Sequence, residues 1–395
     1  MPASGNVMNA LQQLLSRPVS ERESGGYVHT AAEIASQPAV WRKTLAVVSD
    51  SFPALTRFCM GARRVLLTGA GSSFYAAVGI APLLRQSLCT AEAIPSTEIL
   101  MDPDSSFPAE EFILVSLARS GDSPEGNAVF RLAEKKRPGL VKQLVITCNP
   151  QGEMARLADQ GGAHCFRLLL PEESNDKSLA MTASFSSLTI AGFSLGFLEA
   201  LPSYAQAVEG LARAAETLLG GGSTLARELA AERFSRIFFL GSRPYLGGIL
   251  EAHLKVQEMS GGSVVAKAED TLGFRHGFMA AVDPDSLIVL ALSRDPCRRK
   301  YEMDLLSEIK QKQMGKKTVV VGGQVLGPTR EAADAAFDYG DVPAVSDPVL
   351  APIAAIPGQL LGLFLSLEAG LHPDNPSPGG IINRVVQGVR IHQCP

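Results

Sequence analysis

Short apolar runs alternate with amphipathic stretches of helical period along almost the whole chain. The apolar runs predict strands at 64–69, 90–94, 111–117, 142–147, 164–169, 236–240, 263–266, 286–292 and 317–321. The amphipathic stretches predict helices at 74–86, 124–136, 152–160, 179–200, 245–259, 299–312 and 353–369. Strands that alternate with helices form parallel sheets covered on both faces. We therefore expect an α/β protein with doubly wound sheets.

The pattern occurs twice at a nearly constant separation. Residues 63–73 match 235–243, residues 113–123 match 288–295, and residues 143–147 match 317–321. The chain is therefore predicted to contain two copies of one α/β unit. The first copy alone keeps small hydroxyl residues at its turns, which predicts one anion site per chain, in the first half.

The repeat sets the predicted domain organisation. We expect a helical lead over 1–50, a first unit over 51–215 and a second unit over 216–395. The three glycines at 220–222 are expected to form a linker between the units.

The two ends of the chain carry further predictions. The lead is expected to be helical over 29–58, with Thr30 as its cap and Glu33 at the spacing of a capping box, and to be divided into two helices at Pro38. The tail after Gly370 is rich in proline and glycine, and its apolar residues are expected to pack onto the body. These residues are Ile381, Ile382, Val385 and Val386.

Composition narrows the class of protein. The 395 residues are 46% hydrophobic and 19% charged, as in soluble globular proteins of two domains. The net charge of -4 without a basic run argues against nucleic acid and membrane partners. The longest apolar stretch, 188–201, is too short to span a bilayer. Six cysteines without a CxxC pair and a start without an export signal predict reduced thiols and a cytoplasmic protein.

Two glycine- and serine-rich turns follow predicted strands of the first unit. Residues 69–73 (GAGSS) open a helix, and residues 120–124 (SGDSP) follow the third strand. Such turns meet at the carboxyl edge of a doubly wound sheet, where amides and hydroxyls bind anions. They predict a site for a small phosphate ester; the simpler alternative is tight turns capped by serine. Neither GxGxxG nor a Walker motif is present, so a nucleotide is not expected.

Other polar residues have either a functional role in a site or a purely structural role. Residues 173–184 form either further site residues or a loop with its helix cap. Glu251, Lys255 and Glu258 share one face of a predicted helix. This face is either a set of solvated ion pairs or, because the helix should be buried, a functional cluster. His276 lies in a glycine-rich loop, and the histidine spacing predicts no metal site.

Together these motifs resemble the sugar isomerase (SIS) domain family, in tandem. The motifs are GAGSS at 69–73, ARSGDSPE at 118–125, HLKVQE at 253–258 and FRHG at 274–277. HTAAEI at 29–34 and ESND at 173–176 are similar to the bacterial galactosamine-6-phosphate deaminase/isomerase group, also called tagatose-6-phosphate ketose/aldose isomerases. The resemblance covers 29–395 and implies two tandem flavodoxin-like SIS domains after a helical segment, without cofactor or metal.

The resemblance implies where a sugar phosphate binds. The implied phosphate ligands are Ser72, Ser73, Arg119, Ser120, Gly121 and Ser123. The implied further substrate contacts are Gly71, Ser174, Asn175, Thr182 and Ser184. Arg119 stands where the related synthases have glutamine, and Ala118 where they have serine, so the phosphate site is expected to be more basic.

The resemblance also implies the catalytic groups. Glu258 matches the base that moves a proton between C1 and C2, and Lys255 matches a lysine beside it. His276 matches the ring-opening histidine, although the spacing from Glu258 is slightly longer than in the synthases. That histidine comes from a neighbouring subunit there, which implies a homodimer or larger assembly with the active site at a subunit interface. Arg384 falls near a tail lysine and would act electrostatically. Burial is expected to raise the pKa of Glu258.

These residues favour deamination of galactosamine-6-phosphate to tagatose-6-phosphate and ammonia. No glutaminase domain precedes residue 29, and Pro2 is not a nucleophilic cysteine, so we expect release of ammonia. A plain aldose–ketose phosphate isomerase and a fructosamine-phosphate deglycase use the same proton transfer and stay open. The alternative from another class is a sugar-phosphate sensor without catalysis.

Overall fold

Two five-stranded parallel sheets form the frame of the molecule. The computed structural model describes residues 8–87, 90–343, 345–377, 379–386 and 388–392. The first sheet has the order β2-β1-β3-β4-β5, with β1 Arg64–Thr68, β2 Thr90–Ala93, β3 Phe112–Ala118, β4 Val141–Thr147 and β5 Cys165–Leu169. The second has the order β7-β6-β8-β9-β10, with β6 Arg236–Leu240, β7 Val265–Glu269, β8 Ser286–Ala291, β9 Lys317–Gly322 and β10 Ala335–Asp338. The predicted α/β class and the repeat are confirmed.

Helices cover both faces of each sheet. In the first half they are α1 Ala10–Leu15, α2 Val19–Ser24, α3 Thr30–Cys59, α4 Ser72–Ser87, α5 Ser96–Met101, α6 Pro103–Ser106, α7 Pro124–Lys136, α8 Glu153–Gln160 and α9 Ala183–Phe193. They continue with α10 Leu201–Ala231, α11 Leu246–Met259, α12 Pro296–Gln311, α13 Gly327–Ala332 and α14 Ala351–Glu368. Strands and helices alternate as the apolar periods predict. The sequence did not indicate the short elements α1, α2, α5, α6, α13 and β10.

One apolar core joins the two units. Buried side chains from β1, α4, α11, α14 and β6 belong to the same cluster, including Leu67, Ile80, Ile249, Leu361 and Phe239. α11 packs along α14 and against α4, so a helix of the second unit reaches the first. The cavity described below lies where α4 and α11 meet.

The lead helix is continuous, and the predicted interruption at Pro38 is wrong. α3 runs through Pro38 without a break. A proline leaves the carbonyl four residues earlier without its amide donor. Here the side-chain amide of Gln37 donates to the carbonyl oxygen of Ile34 at 3.1 Å and replaces that donor.

The predicted capping box at Thr30 is also wrong, because the cap comes from the tail. One carboxylate oxygen of Asp374 accepts hydrogen bonds from the amide and the hydroxyl of Thr30, both at 2.7 Å. It also lies 3.1 Å from the amide of His29. Glu33 turns instead toward the loop after β5, where it accepts from the amide of Ser178 at 3.2 Å.

The predicted linker at 220–222 is wrong as well. These glycines lie inside α10, which runs without interruption from 201 to 231. Gly222 packs against Phe337, where an added Cβ would lie 3.1 Å from the ring, so a small residue fits this contact. α3 and α10 therefore cross the predicted boundaries at residues 50 and 215, and the exact division of the chain stays a prediction.

The tail does not bury the apolar side chains that were expected to hold it. Ile381 is 89% exposed and Val386 is 57% exposed. Polar contacts of Asp374 and Arg384 fasten the tail instead. In the described part of the chain one helix, α14, is long and apolar enough to cross a membrane, and 89% of it lies buried within the protein.

The cysteines that the structure describes are free thiols. They are Cys59, Cys148, Cys165 and Cys297. Burial raises the pKa of Cys59 and Cys148 to about 12, so these two thiols stay protonated. Cys89 and Cys394 lie outside the described residues.

Candidate active site

A cavity of about 560 Å³ opens at the carboxyl edge of the first sheet, where the two predicted turns meet. After β1, Gly71 has a φ of +54° and leads into α4 at Ser72. After β3, Gly121 has a φ of +71° and leads toward α7. Glycine adopts these left-handed conformations without strain. Both turns therefore bring the amino end of a helix to the cavity, and helix amino ends attract anions.

Most of the predicted site residues line this cavity. They are Gly71, Ser72, Ser73, Arg119, Ser120, Gly121, Ser123, Lys255, Glu258 and Arg384. Side chains of both units thus face one space, with hydroxyls and helix amino ends from the first unit and Lys255 and Glu258 from α11 of the second.

Lys255 lies at the centre of a buried charge cluster. Its Nζ donates to a carboxylate oxygen of Glu258 at 2.5 Å and to the Ser72 hydroxyl at 3.1 Å, and it lies 3.3 Å from a carboxylate oxygen of Glu251. Lys255 and Glu251 are fully buried. Burial by itself would lower the pKa of Lys255, but the two carboxylates raise it above its ordinary value. The ammonium therefore stays charged in the cavity wall.

The two glutamates beside Lys255 have different surroundings. Burial raises the pKa of Glu251 to about 7, against the opposing effect of Lys255. Glu258 lines the cavity with 23% of its side chain exposed. The fully buried carboxylate with a raised pKa is therefore Glu251, whereas Glu258 is the carboxylate that a ligand can reach.

Arg119 and Arg384 tie the tail to the first unit. Arg119 donates to the carbonyl oxygens of Leu179 at 3.0 Å and of Arg384 at 2.7 Å. The Arg384 guanidinium donates to the carbonyl oxygen of Asp176 and, at 2.9 Å, to Oδ1 of Asn175. Arg384 belongs to the residues that line the cavity, but its guanidinium donates to the loop after β5 and so fastens the tail to the first unit.

Leu179 and Met181 of that loop line the cavity, whereas the predicted site residues Ser174, Asn175, Thr182 and Ser184 do not. Asp176 is 1% exposed and accepts from the amides of Thr182 at 2.7 Å and Ser184 at 2.9 Å. It thereby caps α9; the sequence allowed a helix cap in this loop without indicating which residue provides it. Ser174 donates to the carbonyl oxygen of Pro171 at 2.6 Å. Substrate contact by Ser174, Asn175, Thr182 and Ser184 stays a prediction.

His276 does not reach the cavity of its own chain. It follows a short 3-10 turn, is exposed, and does not belong to the residues that line the cavity. The imidazole and Glu258 are thus not brought together within one copy of the chain.

Three hydroxyls in the cavity wall were not predicted from the sequence. Thr68, Ser96 and Ser116 line the cavity, and their buried hydroxyls have no hydrogen-bond partner among the described residues. Thr68 ends β1, and Ser116 interrupts the apolar run of β3. A polar residue near the carboxyl end of an otherwise apolar strand was the available signal.

Comparison with known proteins identifies the family. No family model matches the chain. An AgaS protein of Streptomyces coelicolor is 41% identical over 376 residues, which are 92% of this chain and 95% of that protein. The D-galactosamine-6-phosphate deaminase AgaS of Escherichia coli is 32% identical over 384 residues, which are 92% of this chain and 95% of that protein. This chain belongs to the AgaS family.

A solved structure agrees with this membership. A crystal structure from Clostridium novyi, assigned as a tagatose-6-phosphate ketose/aldose isomerase, matches with a TM-score of 0.88 and 32% identity, and it covers 94% of this chain and 97% of that chain. The tandem SIS fold and the family resemblance inferred from the motifs are confirmed.

Proposed function

We propose that this AgaS-family chain converts galactosamine-6-phosphate into tagatose-6-phosphate and ammonia. The observation that carries the proposal is the meeting of two hydroxyl-rich turns with Glu258 and Lys255 in one cavity. The D-galactosamine-6-phosphate deaminase named in Escherichia coli supports the choice of substrate. The isomerase assignment of the Clostridium novyi structure supports proton transfer between neighbouring carbons.

The sugar phosphate binds with its anionic end at the two turns. The amino ends of α4 and α7 and the hydroxyls of Ser73, Ser120 and Ser123 supply donors for the phosphate oxygens. The opposite end of the sugar then lies toward α11, where Glu258 faces the same space. This orientation brings C1 and C2 to the carboxylate.

Proton transfer follows ring opening. His276, supplied by a second copy of the chain, moves a proton between the ring oxygen and O1. Glu258 then removes the proton from C2 of the open 2-amino aldose and returns it to C1. One proton of the amino group passes to O1, which gives a 2-imino ketose; water then adds at C2, ammonia leaves and the ketose forms. Lys255 stabilises the oxyanion that develops beside Glu258.

Release of ammonia and of ketose phosphate from galactosamine-6-phosphate, run beside glucosamine-6-phosphate, tests the proposal. We expect ammonia from the galacto sugar and a loss of at least about 1,000-fold in Glu258→Gln, because the amide cannot accept the proton. Glu228→Gln on the exposed face of α10 is the matched control and should keep full activity.

The alternatives give different results in the same assay. Full turnover by Glu258→Gln would contradict the proposed base. Ketose formation from an aldose phosphate without ammonia would indicate a plain isomerase, and ammonia from a fructosamine phosphate alone would indicate a deglycase. Tight binding of both amino sugars without turnover would indicate a sensor.

A further inference from the structure

The second unit has turns at the same places in its sheet as the two hydroxyl-rich turns of the first unit. Its five strands have the same order as those of the first unit. Ser293 and Arg294 follow β8 where the turn around Ser120 follows β3, and Tyr245 follows β6 where Ser73 follows β1. The second sheet therefore presents its own pair of turns at its carboxyl edge.

A carboxylate of the chain itself occupies this second pair of turns. Asp347, which is 4% exposed, accepts hydrogen bonds from the Tyr245 hydroxyl and the Arg294 amide, both at 2.8 Å, and from the Ser293 hydroxyl. The guanidinium of Arg298 lies 3.1 Å from its second oxygen. Hydroxyls, a backbone amide and a guanidinium are the donors that hold a phosphate group in proteins.

Three buried polar atoms near these turns make no hydrogen bond to Asp347 or to any other described residue. Ser242 Oγ, Glu302 Oε1 and the Tyr339 hydroxyl are buried and have no hydrogen-bond partner among the described residues. Ser242 belongs to the turn after β6, and Glu302 accepts from the Ser293 amide at 2.7 Å through its other oxygen.

The segment that carries this carboxylate also supports the cavity of the first unit. Asp347 begins a 3-10 turn that packs against α4 and leads directly into α14. α14 in turn packs along α11. α4 begins with Ser72 and α11 carries Lys255, so one anchored segment holds both helices that face the substrate.

We propose that Asp347 is an internal anion that fills the second unit's counterpart of the phosphate site and thereby positions α4 and α11 for catalysis. It is a positioning residue, because it does not line the cavity. The part of the inference that concerns turnover rests on the proposed function.

Asp347→Ala tests this inference, because it keeps Cβ and removes a group of the size of formate. We expect the variant to lose roughly 5 °C in Tm, since several buried donors lose their acceptor. Its kcat for ammonia release should fall about 10-fold or more as α4 and α11 shift. Sodium formate at high millimolar concentration should raise both values, whereas sodium chloride of equal ionic strength should not. Asp341→Ala, on the same loop and exposed, is the matched control and should not respond to formate.

The outcomes separate this inference from the proposed function. Formate that restores the Tm of Asp347→Ala, and not that of the wild type or Asp341→Ala, supports the internal anion without any turnover assay. Equal formate effects on all three proteins, or an Asp347→Asn variant with the Tm and kcat of the wild type, would overturn it. A wild-type protein that releases no ammonia would overturn the proposed function alone, because the Tm comparison would still stand.

Discussion

Glu33 connects the lead helix to the loop that follows β5. Its carboxylate accepts from the hydroxyl of Ser178 and from the amides of Ser178, at 3.2 Å, and Lys177, at 2.5 Å. Burial and the nearby charge of Asp176 raise the pKa of Glu33 to about 7. The same loop caps α9 and receives Arg384 from the tail. The charge state of Glu33 therefore affects the hydrogen bonds that hold the loop after β5, to which Arg384 fastens the tail.

A raised pKa in the folded state fixes the sign of a pH effect. An unfolded glutamate titrates near its ordinary value, about 4.3, so between that pH and about 7 the folded chain binds more protons at Glu33. Glu33 therefore lowers the free energy of unfolding as pH rises through this window. Urea unfolding at several pH values should show this decrease. Glu33→Gln should make the slope of the free energy of unfolding against pH less negative, by the amount that corresponds to about one bound proton. Glu228→Gln is the control, and equal slopes for Glu33→Gln and the wild type would contradict the assignment.

At the level of single residues, local sequence signals located part of the site. The glycine-rich turns predicted Ser72, Ser73 and Ser120 as site residues, because the residues that form a turn are adjacent in the sequence. The cap by Asp374 and the contacts of Asp347 could not be predicted, since their partners lie far away in the chain and come together only through the fold. The exposed position of His276 likewise depends on packing that one sequence does not reveal.

Glycines set the distance between the elements that build the cavity. A Cβ added at Gly248 in α11 would lie 2.1 Å from the carbonyl oxygen of Ala351 and 2.8 Å from Cβ of Ala354, both at the start of α14. A Cβ at Gly247 would lie 2.4 Å from the backbone nitrogen of Gly79 in α4. Only a bare backbone permits this approach, and through it Lys255 reaches Ser72.

Gly248→Ala should therefore separate α11 from α14. We expect a loss of about 1–3 kcal/mol in the free energy of unfolding from overpacking, together with a decrease in ammonia release as Lys255 shifts. Gly221→Ala is the matched control, because Gly221 lies within α10 with no atom near the added Cβ; it should gain about 0.5–1 kcal/mol from helix propensity. Urea unfolding and the ammonia assay measure both effects, and a fully active, fully stable Gly248→Ala would show that the helices can move apart freely.

At the level of elements, the periodicity predicted most strands and helices because apolar period and backbone geometry are linked. Its errors share one cause. Pro38 and the glycines at 220–222 are local signals for breaks, yet both lie inside long helices. In each helix a specific contact, the Gln37 amide or the packing of Gly222 on Phe337, outweighs the local preference.

The whole molecule, in our proposal, works as a dimer or larger assembly in which His276 of one copy completes the cavity of another. Co-expression of Glu258→Gln with His276→Ala tests this arrangement, because mixed dimers would contain one site with neither change. Random pairing should restore about a quarter of the wild-type ammonia release. Activity no greater than that of the two inactive variants would place the histidine within its own chain, and a monomer in solution would contradict the assembly.

The cap of α3 by Asp374 has a consequence for how the protein is made. α3 is synthesised before both sheets, yet it obtains its cap from Asp374, which follows both sheets, and Asp374 also accepts, through its carbonyl oxygen, the amide of Leu179 at 2.9 Å. Units of a nascent chain can fold as they emerge. Here the contact that joins the beginning, the middle and the end of the chain forms only after synthesis of the tail. A truncated product would therefore contain both sheets and still lack a completed site.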